Sequence, residues 1–332
     1  MISKAYAARA AEIYTYPAGA ATPEAIAARR GCLCRFRGPN QECDQTEHRG
    51  SRAFLQLAPH AALTQAYGRT EIPLGLCSMW SIQRHVQHPW VVCPHRLFYA
   101  GPTTVFVENW IYQAWGLNRG DRVALWKEVK IQAVRESKKF DFTFDYVFRK
   151  VIKDDPLLCD EPPFLVEVMT ASTAGGGVES TFLHGLQDPL ALTRTSINYR
   201  QVIARMMSQF IAKAQAGSEW GGKAVWIVQD LLWRYVERTT GFNRDAFYND
   251  PNGNVVVVVR RLETHDARDR SLDTYTLRLE QIIHGWDRFE RSRGESYEGR
   301  DFVSMLNAPF TPNRTVILNA TNRAPLAILT CA

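Results

Sequence analysis

Two short stretches of the chain read as strands, and the first alternates aromatic with other residues at every second position. In the first, Phe140, Phe142, Phe144, Tyr146 and Phe148 alternate with Asp141, Thr143, Asp145 and Val147, the period of a strand with one buried face. In the second, Phe164 to Thr170, Leu165, Glu167 and Met169 fall on one face and Val166 and Val168 on the other. Downstream, an apolar run predicts a buried strand over Lys223–Val228, ending in Gln229-Asp230. A helix follows over 231–238, and a strand over Val255–Arg261 comes after the turn Asp250-Pro-Asn-Gly253. Helical spacing predicts a long helix over 197–215, with a stripe of Val202, Ile203, Met206, Met207, Phe210 and Ile211, and a helix over 120–138. Residues 1–30 read as two Ala-rich helices, the second opened by Thr22 as N-cap with Pro23 at its first position.

The pattern is that of a mixed α/β protein. With 332 residues, 45% hydrophobic content and nine Trp, the chain can bury one large core or two modest ones. Residues 1–100, where the cysteines stand among much irregular loop, form one expected module; residues 101–332 form an α/β domain, with a soft boundary between them.

Chemistry enters with the acids. An Asp and a Glu on neighbouring strands can meet at one point and hold Mg²⁺, an ion that takes carboxylate oxygens, waters and substrate phosphates. Solvent-facing acids on half-buried strands explain the same two residues, and both readings stand at this point. The loop Ala171–Gly177 follows the Glu strand directly. It is either a turn or a segment whose missing side chains let a nucleic-acid backbone come close; no Gly-Lys-Ser/Thr follows, so it is no P-loop.

Five of the seven cysteines, Cys32, Cys34, Cys43, Cys77 and Cys93, lie within the first 93 residues. Lys4, Arg9 and Glu12 interrupt the opening segment, which therefore reads as neither secretory signal nor membrane span and predicts a cytoplasmic protein. Clustered cysteines in that setting point to metal more than to disulfides. Four thiolates suit Zn²⁺ or iron equally, although no standard C-x₂-C pair occurs. Charge adds a weaker signal: Lys+Arg number 40 against 34 Asp+Glu, a net +6 compatible with a DNA partner. Arg35, Arg37, Arg49 and Arg52 flank the cysteines and are placed for phosphate contacts.

The order of these features carries a family resemblance over most of the chain. Cys34-Arg-Phe-Arg-Gly-Pro-Asn-Gln-Glu-Cys43, then Leu76-Cys77-Ser-Met, then Val92-Cys93-Pro-His-Arg-Leu-Phe98, resemble the N-terminal metal-binding part of the NotI-like type II restriction endonucleases. The stretches around Asp145 and Glu167 resemble that group's catalytic segment. The resemblance implies a restriction-endonuclease-like PD-(D/E)xK nuclease fold, a mixed β-sheet flanked by helices. It implies Mg²⁺-dependent cleavage of double-stranded DNA at a specific, palindromic site by a homodimer, paired with a cognate DNA methyltransferase. It assigns Asp145 and Glu167 as catalytic metal ligands, and Cys34, Cys43, Cys77 and Cys93 as the ligands of a structural Fe or Zn, with Cys32 as the surplus thiol and the choice between Cys32 and Cys34 open.

One position departs from the nuclease motif. Where Lys, Gln or Glu normally follows the Glu by two residues, this chain has Met169, whose thioether cannot position water. Gln201, Arg205, Gln209 and Lys213 run along one flank of the predicted long helix and are candidates to replace it; Glu136 is a candidate third acid. Two other functions fit the same residues: a nuclease of this fold acting on modified DNA, and a non-catalytic DNA-binding protein stapled by zinc or iron.

Overall fold

The computed structural model describes residues 7–36, 40–43, 54–81, 89–98, 117–118, 120–135, 138–151, 164–171, 173–175, 177–198, 202–203, 210–211, 213–214, 222–240, 253, 255–262, 270–277, 317–318 and 327–330. The chain is mixed α/β and divides into two compact units. One comprises Met1–Val105, Thr170–Val202 and Arg261–Arg270; the other comprises Phe106–Met169, Ile203–Arg260 and Ser271–Ala332. The expected boundary near residue 100 lies close to the first division, and the first unit also takes up two later segments.

The first unit is built on a four-stranded sheet. Strands β1 (Ala8–Ile13), β2 (Tyr16–Pro17), β5 (Leu76–Ser81) and β6 (Trp90–Val91) lie in the order β2-β1-β5-β6. β3 (Phe54–Gln56) and β4 (Glu71–Pro73) pair separately around helix α2 (Ala61–Tyr67). The expected first helix is therefore a strand. Alanine favours helices by only tenths of a kcal/mol per residue over most others, and packing overrides that. Ala8 and Ala10 are buried, and helix α4 (Gly177–Gln187) approaches so closely that a Cβ on Gly185 would lie 2.4 Å from the Ala10 Cβ. Only small residues permit this contact.

The β1–β2 hairpin turns on Tyr14 and Thr15, both at positive φ (46° and 72°), as a type I′ turn requires. Neither is the Gly or Asn that such turns favour, so tertiary contacts must hold them. Tyr14 is fully buried and its hydroxyl donates to the Pro73 carbonyl at 2.6 Å. Its ring lies where any side chain at position 75 would stand, 2.2 Å from a Gly75 Cβ.

Helix α1 (Pro23–Gly31) begins as its sequence predicts, with the Thr22 Oγ1 accepting from the Ala25 N–H at 3.3 Å. Helix α3 (Pro94–Phe98) follows β6. The segment 31–100 thus holds more regular structure than its composition suggests. In the glycine-rich stretch after Thr170, β10 (Thr173–Gly175) pairs antiparallel with β11 (Thr195–Ile197), which replaces the expected plain loop and takes up Ile197, the first residue of the predicted helix.

The second unit carries one sheet in the order β14-β13-β12-β9-β8-β7-β15, with β16 also pairing to β7. These strands are β7 (Arg122–Arg135), β8 (Lys138–Lys150), β9 (Phe164–Met169), β12 (Lys223–Gln229), β13 (Val255–Arg261), β14 (Arg270–Leu277), β15 (Ile317–Leu318) and β16 (Ala327–Thr330). β8 runs antiparallel to both β7 and β9; β12 then lies parallel to β9, and β13 parallel to β12. β7 corrects the helix expected over 120–138. Its charges fit helical spacing, but Val129, Ile131 and Ala133 also alternate with Lys130 and Gln132. The aromatic strand β8 pairs with it from Val123↔Lys150 to Arg135↔Lys138, and cross-strand pairing of that length outweighs a marginal local preference.

β9 and β12 are buried on both faces, as central strands with parallel neighbours are. Helix α5 (Asp230–Thr240) follows β12 directly and sends Trp233 edge-on to Trp226, with ring centroids 5.8 Å apart. Of the helix predicted over 197–215, Ile197 and Asn198 are not helical, and the other described residues, 202–203, 210–211 and 213–214, are. No described helix is long and apolar enough to cross a membrane.

Candidate functional site

Two clusters of reactive side chains form, one in each unit. The first is assembled by backbone hydrogen bonds. α1 ends at Cys32, whose left-handed φ of 52° reverses the chain. Leu33 then bridges to Glu42, the Cys34 N–H donates to the Gln41 carbonyl at 2.7 Å, and the Cys43 N–H donates to the Cys32 carbonyl at 2.6 Å. This tight ladder brings Cys34 and Cys43 together, and their thiols share a hydrogen bond. On the β5–β6 side, the N–H groups of Val92 and Cys93 both donate to the Cys77 carbonyl, at 3.0 and 3.3 Å. The Cys77 thiol in turn accepts from the Thr15 N–H of the strained hairpin at 3.3 Å.

All five N-terminal cysteines are buried. The Cys43 thiol is pushed well up by its hydrogen bond to Cys34, by burial, and by the nearness of Cys34, Cys93 and Cys77. The Cys77 thiol is pushed well up by burial and by Cys93, Cys34 and Glu12. These four thiols therefore share one electrostatic environment. Cys32 is different. Burial raises its thiol, and its interacting neighbours are Tyr14, Arg69 and Glu42 rather than the other cysteines. The structure thus gathers Cys34, Cys43, Cys77 and Cys93 and sets Cys32 against Tyr14.

Among the described residues, no group of three or more His, Cys, Asp or Glu side chains is placed to hold a metal ion. The chemistry of four thiols does suit a soft or borderline cation: the Cys43 and Cys77 thiols are raised by burial and by their neighbours, and a metal would reverse that. A buried ion pair braces the cluster. Arg96, fully buried on α3, reaches both Glu12 carboxylate oxygens at 3.0 and 3.2 Å, and the Ser78 hydroxyl donates to the same carboxylate at 2.7 Å.

The second cluster stands where two strands part. The β8–β9 ladder consists of Tyr146↔Val166, Val147↔Leu165 and Phe148↔Phe164, and it stops there although both strands continue. Past that point the Val168 N–H donates to the Asp145 Oδ2 at 2.8 Å, a side chain taking the place of a backbone partner. Glu167 sits beside it on β9, 5% exposed, in register with Trp226 of β12. A carboxylate in a central, doubly covered strand is costly. Burial first, and then the nearness of Asp145, push the Glu167 carboxyl up to about 8.

A cation opposes that shift. The Lys213 Nζ lies 2.5 Å from the Glu167 Oε1, and it also stands 5.6 Å from the centre of the Phe144 ring. Lys213 is itself 8% exposed. Two carboxylates repelling each other in a buried setting form a donor set that a hard divalent cation fits.

Asp145 and Glu167 come together as their strand positions predict. Glu136 lies outside the described residues, as do Gln201, Arg205 and Gln209. Of the four flank candidates, Lys213 is the one seen at the acids. Tyr14 had no sequence signal, since nothing local marks an aromatic at positive φ as the wall of a thiol cluster. No family model and no curated protein matches the sequence. Fold and site therefore define a class only: a mixed α/β protein with a buried carboxylate–lysine cluster in one unit and a buried four-thiol cluster in the other.

Proposed function

We propose that this protein is a type II restriction endonuclease that hydrolyses phosphodiester bonds in double-stranded DNA at a specific, palindromic site. The observation that carries the reading is the meeting of Asp145 and Glu167 at the point where β8 and β9 separate. The strand order supports it. An antiparallel β7-β8-β9 meander followed by β12 parallel to β9 is compatible with the mixed sheet that this reading expects. Those two acids fall on the meander's second and third strands. The resemblance of the cysteine and acid segments to the NotI-like enzymes points the same way.

In this reading, Asp145 and Glu167 would hold Mg²⁺, which when bound neutralises charge on the scissile phosphate and acidifies a water. The protein's own contribution is placement. The Val168 amide fixes the Asp145 carboxylate, and the covered faces of β9 and β12 keep Glu167 in a low-dielectric setting where charge interactions are strong. Cys34, Cys43, Cys77 and Cys93 would hold Zn or Fe as a closed structural site, whose binding energy goes into folding. The enzyme would act in the cytoplasm as a homodimer, since a two-fold protein reads a two-fold site. A cognate DNA methyltransferase would protect the host.

The test is digestion of unmethylated phage DNA with and without Mg²⁺, with the Asp145→Ala and Glu167→Ala proteins alongside. Discrete Mg²⁺-dependent fragments, absent with either variant, are the expected result. Intact DNA in every lane sinks the reading; cleavage confined to methylated substrate would turn it to a modified-DNA nuclease, and binding without cleavage to a DNA-binding protein.

A further inference from the structure

Position 169 lacks the polar group that a hydrolytic site needs two residues after its glutamate. Met169 is on the same strand face as Glu167, in register with Val228 as Glu167 is with Trp226. A cation is nevertheless delivered to that face from elsewhere in the chain. Phe210 stacks on Trp226, with ring centroids 4.6 Å apart and planes 23° from parallel. That contact anchors the helical residues over the strand position that pairs with Glu167. Residues three apart lie on one side of a helix, so the same anchor brings Lys213 to the acids. Its ammonium ends 2.5 Å from Glu167 and over the Phe144 ring, beside Asp145 in the chain.

Burying a lysine ammonium is costly, and a surface flank position offers many cheaper places for it. Packing around it is tight: Phe210, Ile211 and Ala214 are each fully buried. The cation is thus held at the acids by the fold.

We propose that Lys213 is a catalytic residue that supplies from the helix what Met169 cannot, holding the attacking water and countering charge on the phosphate as the bond changes. The proposal rests on the nuclease reading of the preceding subsection. In the step itself, the water oxygen forms a new bond to phosphorus and the bond from phosphorus to the 3′ oxygen breaks. One water proton ends on the departing 3′ hydroxyl and the other leaves the new 5′ phosphate for solvent.

The experiment compares wild type, Lys213→Met and the double variant Met169→Lys/Lys213→Met. The substrate is a duplex carrying the cleavage site mapped from the wild-type digest. Single-turnover cleavage in Mg²⁺, DNA affinity in Ca²⁺ and thermal melting are read for each. The expected result for K213M is a rate lowered about 100-fold or more, the scale of one positioned proton-handling or water-holding group, with DNA affinity within about threefold of wild type. The double variant should recover at least about tenfold, because a lysine at 169 shares the Glu167 face. A folded K213M that cleaves within about threefold of wild type overturns the proposal. So does a folded double variant no faster than K213M. Should K213M not fold, the double variant decides, since it restores a cation beside Glu167. If wild type itself leaves DNA intact, the nuclease reading fails and not merely the role of Lys213.

Discussion

The two clusters reach buried chemistry by opposite routes. In the first unit, four like groups are collected by backbone hydrogen bonds at loop and strand ends, and burial and neighbouring thiols make Cys43 and Cys77 harder to ionise. In the second, two acids on strands meet a lysine carried by a helix, which partly offsets what burial and a second acid do to Glu167. Burial and neighbouring thiols push the Cys43 and Cys77 thiols up, so the fold of this cluster should depend on a cation. The acid cluster contains one and should fold without metal. Structural and catalytic sites differ in this way generally: a closed site feeds its binding energy into folding, whereas an open one keeps capacity for substrate.

The largest effects should come from the thiols. Cys34→Ser or Cys77→Ser is expected to abolish metal content and unfold the first unit. Structural zinc in small thiolate sites is worth about 10–16 kcal/mol, so no modest loss is anticipated. Cys32→Ser should keep full metal content. Elemental analysis of purified proteins with circular dichroism checks both, and metal retained by C77S would remove that residue from the cluster.

Next in size is the loss of the acids. Asp145→Ala and Glu167→Ala should lower cleavage by about 10³-fold or more, the equivalent of several kcal/mol of transition-state stabilisation, while leaving metal content in the thiol cluster unchanged. Single-turnover rates read this directly. Equal sensitivity of both clusters to the Glu167 change would break the comparison.

Arg96→Met probes the brace of the first unit. It leaves the Glu12 carboxylate buried without its cation, a loss on the order of 3–5 kcal/mol. Denaturant melts would show this as a lowered midpoint. A variant as stable as wild type would mean that Ser78 alone satisfies Glu12.

A smaller, graded effect separates the units by pH. Glu167 is raised from its ordinary 4.5 to about 8. A carboxyl raised on folding contributes stability that is fully present below the lower value and is lost as pH rises through the upper one. Stability of the metal-free second unit should therefore fall between about pH 4.5 and 8, at no more than about 1.4 kcal/mol per pH unit for one proton. Protection by added Mg²⁺ should grow across the same interval. Glu167→Gln should flatten both trends, and an unchanged slope in that variant would assign the titration elsewhere.

The smallest effect is local. Thr22→Ala should cost about 1 kcal/mol through the lost α1 cap, seen as a small shift in melting with no change in cleavage.

Much of the second unit was legible because its strands either alternate in polarity or run continuously apolar. The strands through Asp145, Glu167, Trp226 and Val257 stand where alternation or continuous burial puts them. Thr22 and Pro23 likewise mark the start of α1. The failures share one cause, which is that long-range contacts decided them. β1 is a strand because α4 packs on its alanines. Its turn forms on Tyr14 and Thr15, which no turn rule selects. β7 is a strand because β8 needs a partner along its whole length.

The sequence by itself determined the residue types: two acids on adjacent strand faces, five early cysteines, and a methionine where a polar group was due. Periodicity of two and 3.6 is local, and side-chain chemistry travels with the residue, so these could be read without coordinates. Tertiary structure alone decided which groups meet. It drew Cys34, Cys43, Cys77 and Cys93 together while setting Cys32 against Tyr14, and it chose Lys213 to stand at Glu167. Those choices depend on strand register, a splayed ladder and one aromatic stack between residues far apart in the chain. No local pattern encodes such contacts, because their energies exist only once the sheet has formed.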